Sequence, residues 1–212
     1  MTRSAPSDLP PPSKPSTAPA RAPIRLSAQV LTCLVFCLIA AAIIYLSRGA
    51  LLAPLLATAT RPAAPMWQLV IGQGLALLAA VVSYGIYRLG AQSASTAKTV
   101  ETYSRLDLRG MNPLWMALAA AIGEEMLFRA ALQPLLGVWI VSLLFLVTHV
   151  PVYRFRKFDR ATLAQAAGVF GSSVVLGFTF QYVGLIAAIL VHLWIDIVGL
   201  LVVRSVIRAR TM

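Results

Sequence analysis

The sequence predicts an all-α membrane protein, a polytopic bundle of about six transmembrane helices with both termini cytoplasmic. Three observations carry this reading. Of 212 residues 59% are hydrophobic and only 12% charged, and the mean hydropathy is +0.81, far from the balance of a soluble domain. The apolar residues fall in blocks long enough to cross a hydrocarbon layer. Fifteen of the 18 Lys and Arg residues gather in alternate segments flanking the blocks, the distribution that cytoplasmic loops adopt. A net charge of +11 would also suit nucleic acid, but that partner calls for a basic face carrying aromatics or a dedicated fold, and neither is written here. No nucleic-acid partner is expected.

Residues 1–25 hold seven of the 13 prolines among Ser, Ala and a few basic residues, a composition that predicts a disordered cytoplasmic tail. The uncharged block from Ser27 to Leu46 follows. At about 1.5 Å per residue it spans the bilayer, and it is too long, behind too long a leader, to be a cleaved signal peptide. Cys33 and Cys37 lie four apart on it and read as reduced packing residues. Met66 to Tyr87 forms a second span, and the polar connector "RLGAQSASTAKTVETYSRLDLRG" behind it shows no helical periodicity. Residues 26–111 are thus read as a transmembrane hairpin with its connector.

Residues 112–203 are read as the catalytic membrane domain. Its first span begins where Asn112 can cap and Pro113 suits the first turn, and runs to about Gln133. After a turn at "PLLG", a shorter span from Trp139 to about Tyr153 gives way to "RFRKFDR", a solvated segment facing lipid headgroups. The final block, Gly168 to Val203, is too long for one crossing and breaks at "QYVG" into spans of 168–181 and 185–203. Within it, "GVFGSSVVLG" reads as a small-residue packing face rather than a phosphate loop. Residues 204–212 form a basic tail. This division puts fifteen basic residues on the cytoplasmic side and two, Arg48 and Arg61, outside, with Arg129 left inside a span.

Ionisable residues inside spans are costly and mark functional positions. There are six: Glu124, Glu125, Arg129, His149, His192 and Asp196, and they include both histidines of the chain. On a regular α-helix Glu125 and Arg129 share a face as an i, i+4 pair, whereas Glu124 lies about 140° from Arg129 and points elsewhere. His192 and Asp196 share a face of the last span, and Phe145 sits one turn from His149. The rise along each helix brings Glu124, His192 and Asp196 to comparable depths, about 10 to 18 Å from the cytoplasmic surface, with His149 nearer to it. All four can therefore meet in one cavity between the midplane and the cytoplasm.

"EEMLFR" at 124–129, "FLVTH" at 145–149 and "HLWID" at 192–196 resemble, in order and spacing, the EExxxR, FxxxH and HxxxN/D motifs of the CPBP family. That family is named for CAAX proteases and bacteriocin-processing enzymes, is also called Abi, and includes the type II CAAX prenyl endopeptidases. The resemblance implies a glutamic-type intramembrane endopeptidase that uses no metal or other cofactor. It implies catalytic roles for Glu124, His149, His192 and Asp196, with Glu125, Arg129 and Phe145 supporting the site. The chemistry is coherent, since peptide hydrolysis needs a base to activate water and donors to hold the oxyanion. Glu124, uncommitted to Arg129, reads as the base, with His149 sharing its water and His192 and Asp196 facing the oxyanion. Many relatives place Asn where this chain has Asp196, which donates a hydrogen bond only when protonated. The implied partners are the lipid bilayer and a membrane-delivered protein or peptide, such as a prenylated tail, a leader or an anchor. Short loops suggest a prokaryotic inner or plasma membrane.

Three other readings bear on the same residues. A polar network gluing helices together would use them without chemistry. A metal-dependent hydrolase could use the two His and the carboxylates, although no HExxH-like pair is present. A transporter, immunity or scaffold protein is the non-enzymatic reading, and against transport stands the lack of internal repeats.

Overall fold

The computed structural model describes residues 24–50, 63–90, 93–153 and 159–211. The proline-rich tail expected over 1–25 lies almost wholly outside these, as does most of "RFRKFDR". Among the described residues the chain is helices joined by short turns, with one isolated backbone bridge, Ile24 to Leu106. The helices are α1 (Leu26–Arg48), α2 (Pro65–Leu89), α3 (Ala94–Tyr103), α4 (Asn112–Glu124), a π-helix (Glu125–Leu132), α5 (Gln133–Tyr153), α6 (Arg160–Tyr182) and α7 (Leu185–Thr211).

Five helical stretches are long and apolar enough to cross a membrane, and one of them, Asn112–Tyr153, runs for 42 residues. It is broken at Gly137, whose φ of 77° and ψ of 167° are not helical. The left-handed φ suits glycine, which has no Cβ to clash. The two arms fold back on each other: the rings of Phe128 and Phe145 stand 5.0 Å apart, where a straight helix would separate them by about 25 Å. Among the described residues this stretch therefore makes two arms, 112–136 and 138–153, the second shorter. The break expected at "QYVG" is also present, at Gly184 with φ 132°. There the Gln68 side chain of α2 receives the turn, accepting from the Ile186 backbone N–H at 3.1 Å and donating to the Ala63 carbonyl at 2.9 Å.

Several boundaries differ from the sequence reading. The connector is not free of helix. Ser93 caps α3 by accepting from the Thr96 N–H at 3.1 Å, but Val100 is its only buried residue, so it left almost no apolar period to read. The fifth span starts at Arg160 rather than 168, because Asp159 caps it through the Thr162 N–H at 2.7 Å. The last helix continues through the basic tail to Thr211.

The bundle is ordered as a membrane protein. Leu38, Leu78, Trp139 and Leu143 face outward, whereas Ala40, Ala76, Ala117 and Ala187 are fully buried. Small residues let backbones approach where lipid offers no hydrophobic drive. A Cβ on Gly72 of α2 would lie 2.7 Å from the Ala187 Cα of α7, and one on Gly123 of α4 would lie 2.8 Å from the Cys33 Cα of α1. Cys33 and Cys37 are both free thiols. The expected small-residue face of α6 is narrower than its sequence: Gly177 is closely approached, but Gly168 and Gly171 meet nothing within 4 Å. Helix α7 runs through the middle, touching α2, α4, α6 and the π-helix, while α3 lies across α5, α6 and α7.

Candidate active site

The acidic pair straddles a junction: Glu124 ends α4 and Glu125 opens the π-helix. Its i to i+5 bonding, seen where the Gln133 N–H reaches the Phe128 carbonyl, makes a wider turn than the α-helix assumed from sequence. Such turns are rare and frequent at functional sites. Glu124 and Glu125, on either side of the junction, both face the His192 imidazole. Glu125 Oε1 accepts from His192 Nδ1 at 2.8 Å, while Glu124 Oε2 stands 3.9 Å from His192 Nε2.

Glu125 is fully committed. Its Oε2 accepts from Arg129 Nε at 3.2 Å, and both side chains are completely buried. Arg129 also donates through Nη2 to Ser173 Oγ of α6 at 2.8 Å, and its guanidinium lies 5.6 Å from the Phe145 ring centre. Gln133, one turn further on, donates to the Gly177 carbonyl at 2.9 Å. A buried charge pair in an apolar bundle persists only with such further bonds. Glycine at 177 leaves room for them, since a Cβ there would lie 3.1 Å from Gln133 Oε1 and 3.5 Å from Arg129 Nη1.

Glu124 is different. Its Oε2 lies 3.9 Å from His149 Nε2 and 3.9 Å from His192 Nε2, too far for hydrogen bonds and near enough for one small molecule to touch all three. His149 Nδ1 is 2.8 Å from the Phe145 carbonyl. A carbonyl only accepts, so Nδ1 carries the proton, and Nε2 faces Glu124 as an acceptor when the ring is neutral. Asp196 Oδ2 is 3.6 Å from His192 Nε2. Glu125 therefore grips one edge of the His192 ring, and Asp196 and Glu124 share the other. Side-chain exposure grades outward, from 0% at Glu125 and Arg129 to 8% at His192, 17% at Glu124, 18% at His149 and 28% at Asp196. Glu124 is partly exposed and Glu125 is not.

The structure thus gathers all seven residues singled out in the sequence, Phe145 included, its ring stacked 4.3 Å from that of His149. Sequence reading missed Ser173 and Gln133, whose contacts span 44 positions, and the link from Glu125 to His192, which depends on the π-helix. Among the described residues no group of three or more His, Cys, Asp or Glu is set to hold a metal. Ligands on a tetrahedral zinc at about 2.1 Å sit about 3.4 Å apart, closer than the 3.9 Å gaps here.

Residues 110–198, which contain every one of these side chains, match the family model described as Type II CAAX prenyl endopeptidase Rce1-like. It is a family to which the three motifs point. No curated protein and no solved structure matches the chain.

Proposed function

From the Rce1-like match over residues 110–198, we propose that this chain is an integral, multi-pass membrane endopeptidase. It hydrolyses a peptide bond of a membrane-delivered protein or peptide, using water activated by Glu124 and His149 and no metal. The observation that carries this reading is the position of Glu124 Oε2, 3.9 Å from the Nε2 atoms of both histidines and backed by a sealed ion pair.

A water about 2.8 Å from each of those atoms fits the gap. It donates one hydrogen to Glu124 and the other to His149 Nε2. As the water oxygen attacks the scissile carbonyl carbon, its proton passes to Glu124, and the tetrahedral oxyanion forms beside His192 Nε2 and Asp196. His192, held through Nδ1 by Glu125, donates from Nε2 in its doubly protonated form, and Asp196 donates when protonated. The proton on Glu124 then passes to the leaving amine as the C–N bond breaks, which restores the carboxylate. The catalytic unit is residues 112–203, braced by α1 and α2, in a prokaryotic inner or plasma membrane.

The test compares peptide termini from membranes and medium of cells carrying the wild type or Glu124→Ala, with phenanthroline arms for the purified enzyme. New termini should appear only with the wild type, and phenanthroline should leave cleavage intact. Identical termini in both strains defeat the protease reading, whereas activity lost to phenanthroline and restored by zinc defeats only the metal-free mechanism.

A further inference from the structure

One tyrosine outside the reaction scheme stands against His149, and a second tyrosine holds the first. Tyr153, one turn along α5, lays its ring 6.1 Å from the imidazole at an interplanar angle of 29°. Phe145, one turn the other way, stacks at 4.3 Å and 26°. The imidazole is therefore flanked along the helix by two aromatic rings. Its Nδ1–H bond to the Phe145 carbonyl leaves the ring one soft motion, a tilt about that bond, and the flanking rings oppose it.

Tyr153 is poorly fixed by its own backbone. It is the last residue of α5, where carbonyls lack helical partners, and Pro151 interrupts the bonding of the same turn. A second helix holds it. The Tyr153 hydroxyl meets the Tyr103 hydroxyl at 2.7 Å, and the two rings cross edge to face at 6.0 Å. Tyr103 ends α3, which is itself fastened to α6. Lys98 reaches both oxygens of Asp159, at 3.0 and 3.1 Å, and Thr99 Oγ1 accepts from Gln165 Nε2 at 3.1 Å. Desolvation, with the neighbouring Tyr153, Asp196 and Glu124, holds the Tyr103 hydroxyl well above the usual phenol range. It stays protonated, as the hydroxyl pair requires.

We propose that Tyr153, anchored by Tyr103, is a positioning residue for His149: it holds the imidazole plane so that Nε2 faces Glu124. This rests on the reading of His149 as the partner of Glu124 in activating water, and it gives α3 a task in the reaction that its short, polar sequence does not disclose. The hydroxyl is the working group, because phenylalanine would keep the stack and lose the anchor.

The chain has only two histidines, so 15N-labelled imidazoles in nanodiscs can be assigned with a single His192→Gln variant. In the wild type His149 should give one tautomer, protonated at Nδ1. Tyr103→Phe and Tyr153→Phe preserve ring volume, and each should broaden or average the His149 signals. Each should also lower kcat about tenfold at unchanged KM, since small misplacements of a catalytic group are costly. The double variant should lose no more than either single one, because both remove the same bond. Unchanged His149 signals in both variants, or losses that multiply, overturn the proposal. If the signals move but the wild type cleaves nothing, the positioning stands and the protease reading falls.

Discussion

Glu125 uses both carboxylate oxygens, on Arg129 and on His192, whereas its neighbour Glu124 has its two histidine neighbours held beyond bonding distance. Adjacent, chemically identical residues thus answer mutation differently. Arg129→Met should destabilise the protein by about 3–5 kcal/mol, the cost of leaving a buried charge unpaired, and lower the thermal midpoint in detergent. Glu124→Gln should leave that midpoint within error and cut turnover by about 10²–10⁴, the contribution of a general base. Equal thermal losses in the two variants would contradict the division. Asp196 lies on the Nε2 side of His192, where an amide donates as a protonated carboxyl does, so Asp196→Asn should retain cleavage. A well-folded but inactive Asn variant refutes that. The acidic pair, the arginine and both histidines were legible because charge in an apolar helix is conspicuous. The bond from Glu125 to His192 was not, because it needs the local π geometry.

At the scale of elements, glycines separate contact from composition. Gly177 and Gly171 lie on the same helix, but a Cβ at 177 would meet Val138 Cγ1 at 2.9 Å while one at 171 meets nothing within 4 Å. Gly177→Ala should therefore cost about 1–3 kcal/mol through overpacking, and Gly171→Ala should be neutral or slightly stabilising, as measured by thermal unfolding. Helix α3 makes a second test. Asp159 caps α6 through the Thr162 N–H and binds Lys98, and these bonds lower its carboxyl to about 2 from 3.8. A depressed carboxyl contributes above its unfolded pKa and loses that contribution as pH falls through the folded one. The α3 to α6 fastening should hold down to about pH 4 and loosen toward pH 2. Asp159→Asn should remove this pH dependence, read by intrinsic-rate-corrected hydrogen exchange in α3. The apolar spans were legible from length. Helix α3 was not, because a polar decapeptide with a single buried residue owes its helix to a serine cap and to partners far along the chain.

For the whole molecule, the arrangement is that of a bundle turned outward to lipid, with alanine and glycine at the helix contacts and charge confined to one interior site. The basic loops predict both termini on the cytoplasmic side. With Cys33 and Cys37 replaced by alanine, a cysteine at Ala64 should react with an impermeant maleimide added outside intact cells, and one at Ser93 should react only after lysis. The reverse pattern would invert the topology. Sequence by itself determined the membrane class, the breaks at Gly137 and Gly184 and the set of polar candidates, because hydropathy, span length and glycine freedom are local properties. The i, i+4 spacing already paired Glu125 with Arg129; tertiary structure alone decided that His192 takes the other Glu125 oxygen and that Ser173 completes the burial of Arg129. Contacts between helices fix that choice: Ser173 and Gly177 of α6 close around Arg129, His192 of α7 reaches Glu125, and Glu124 is left at the edge of the cavity.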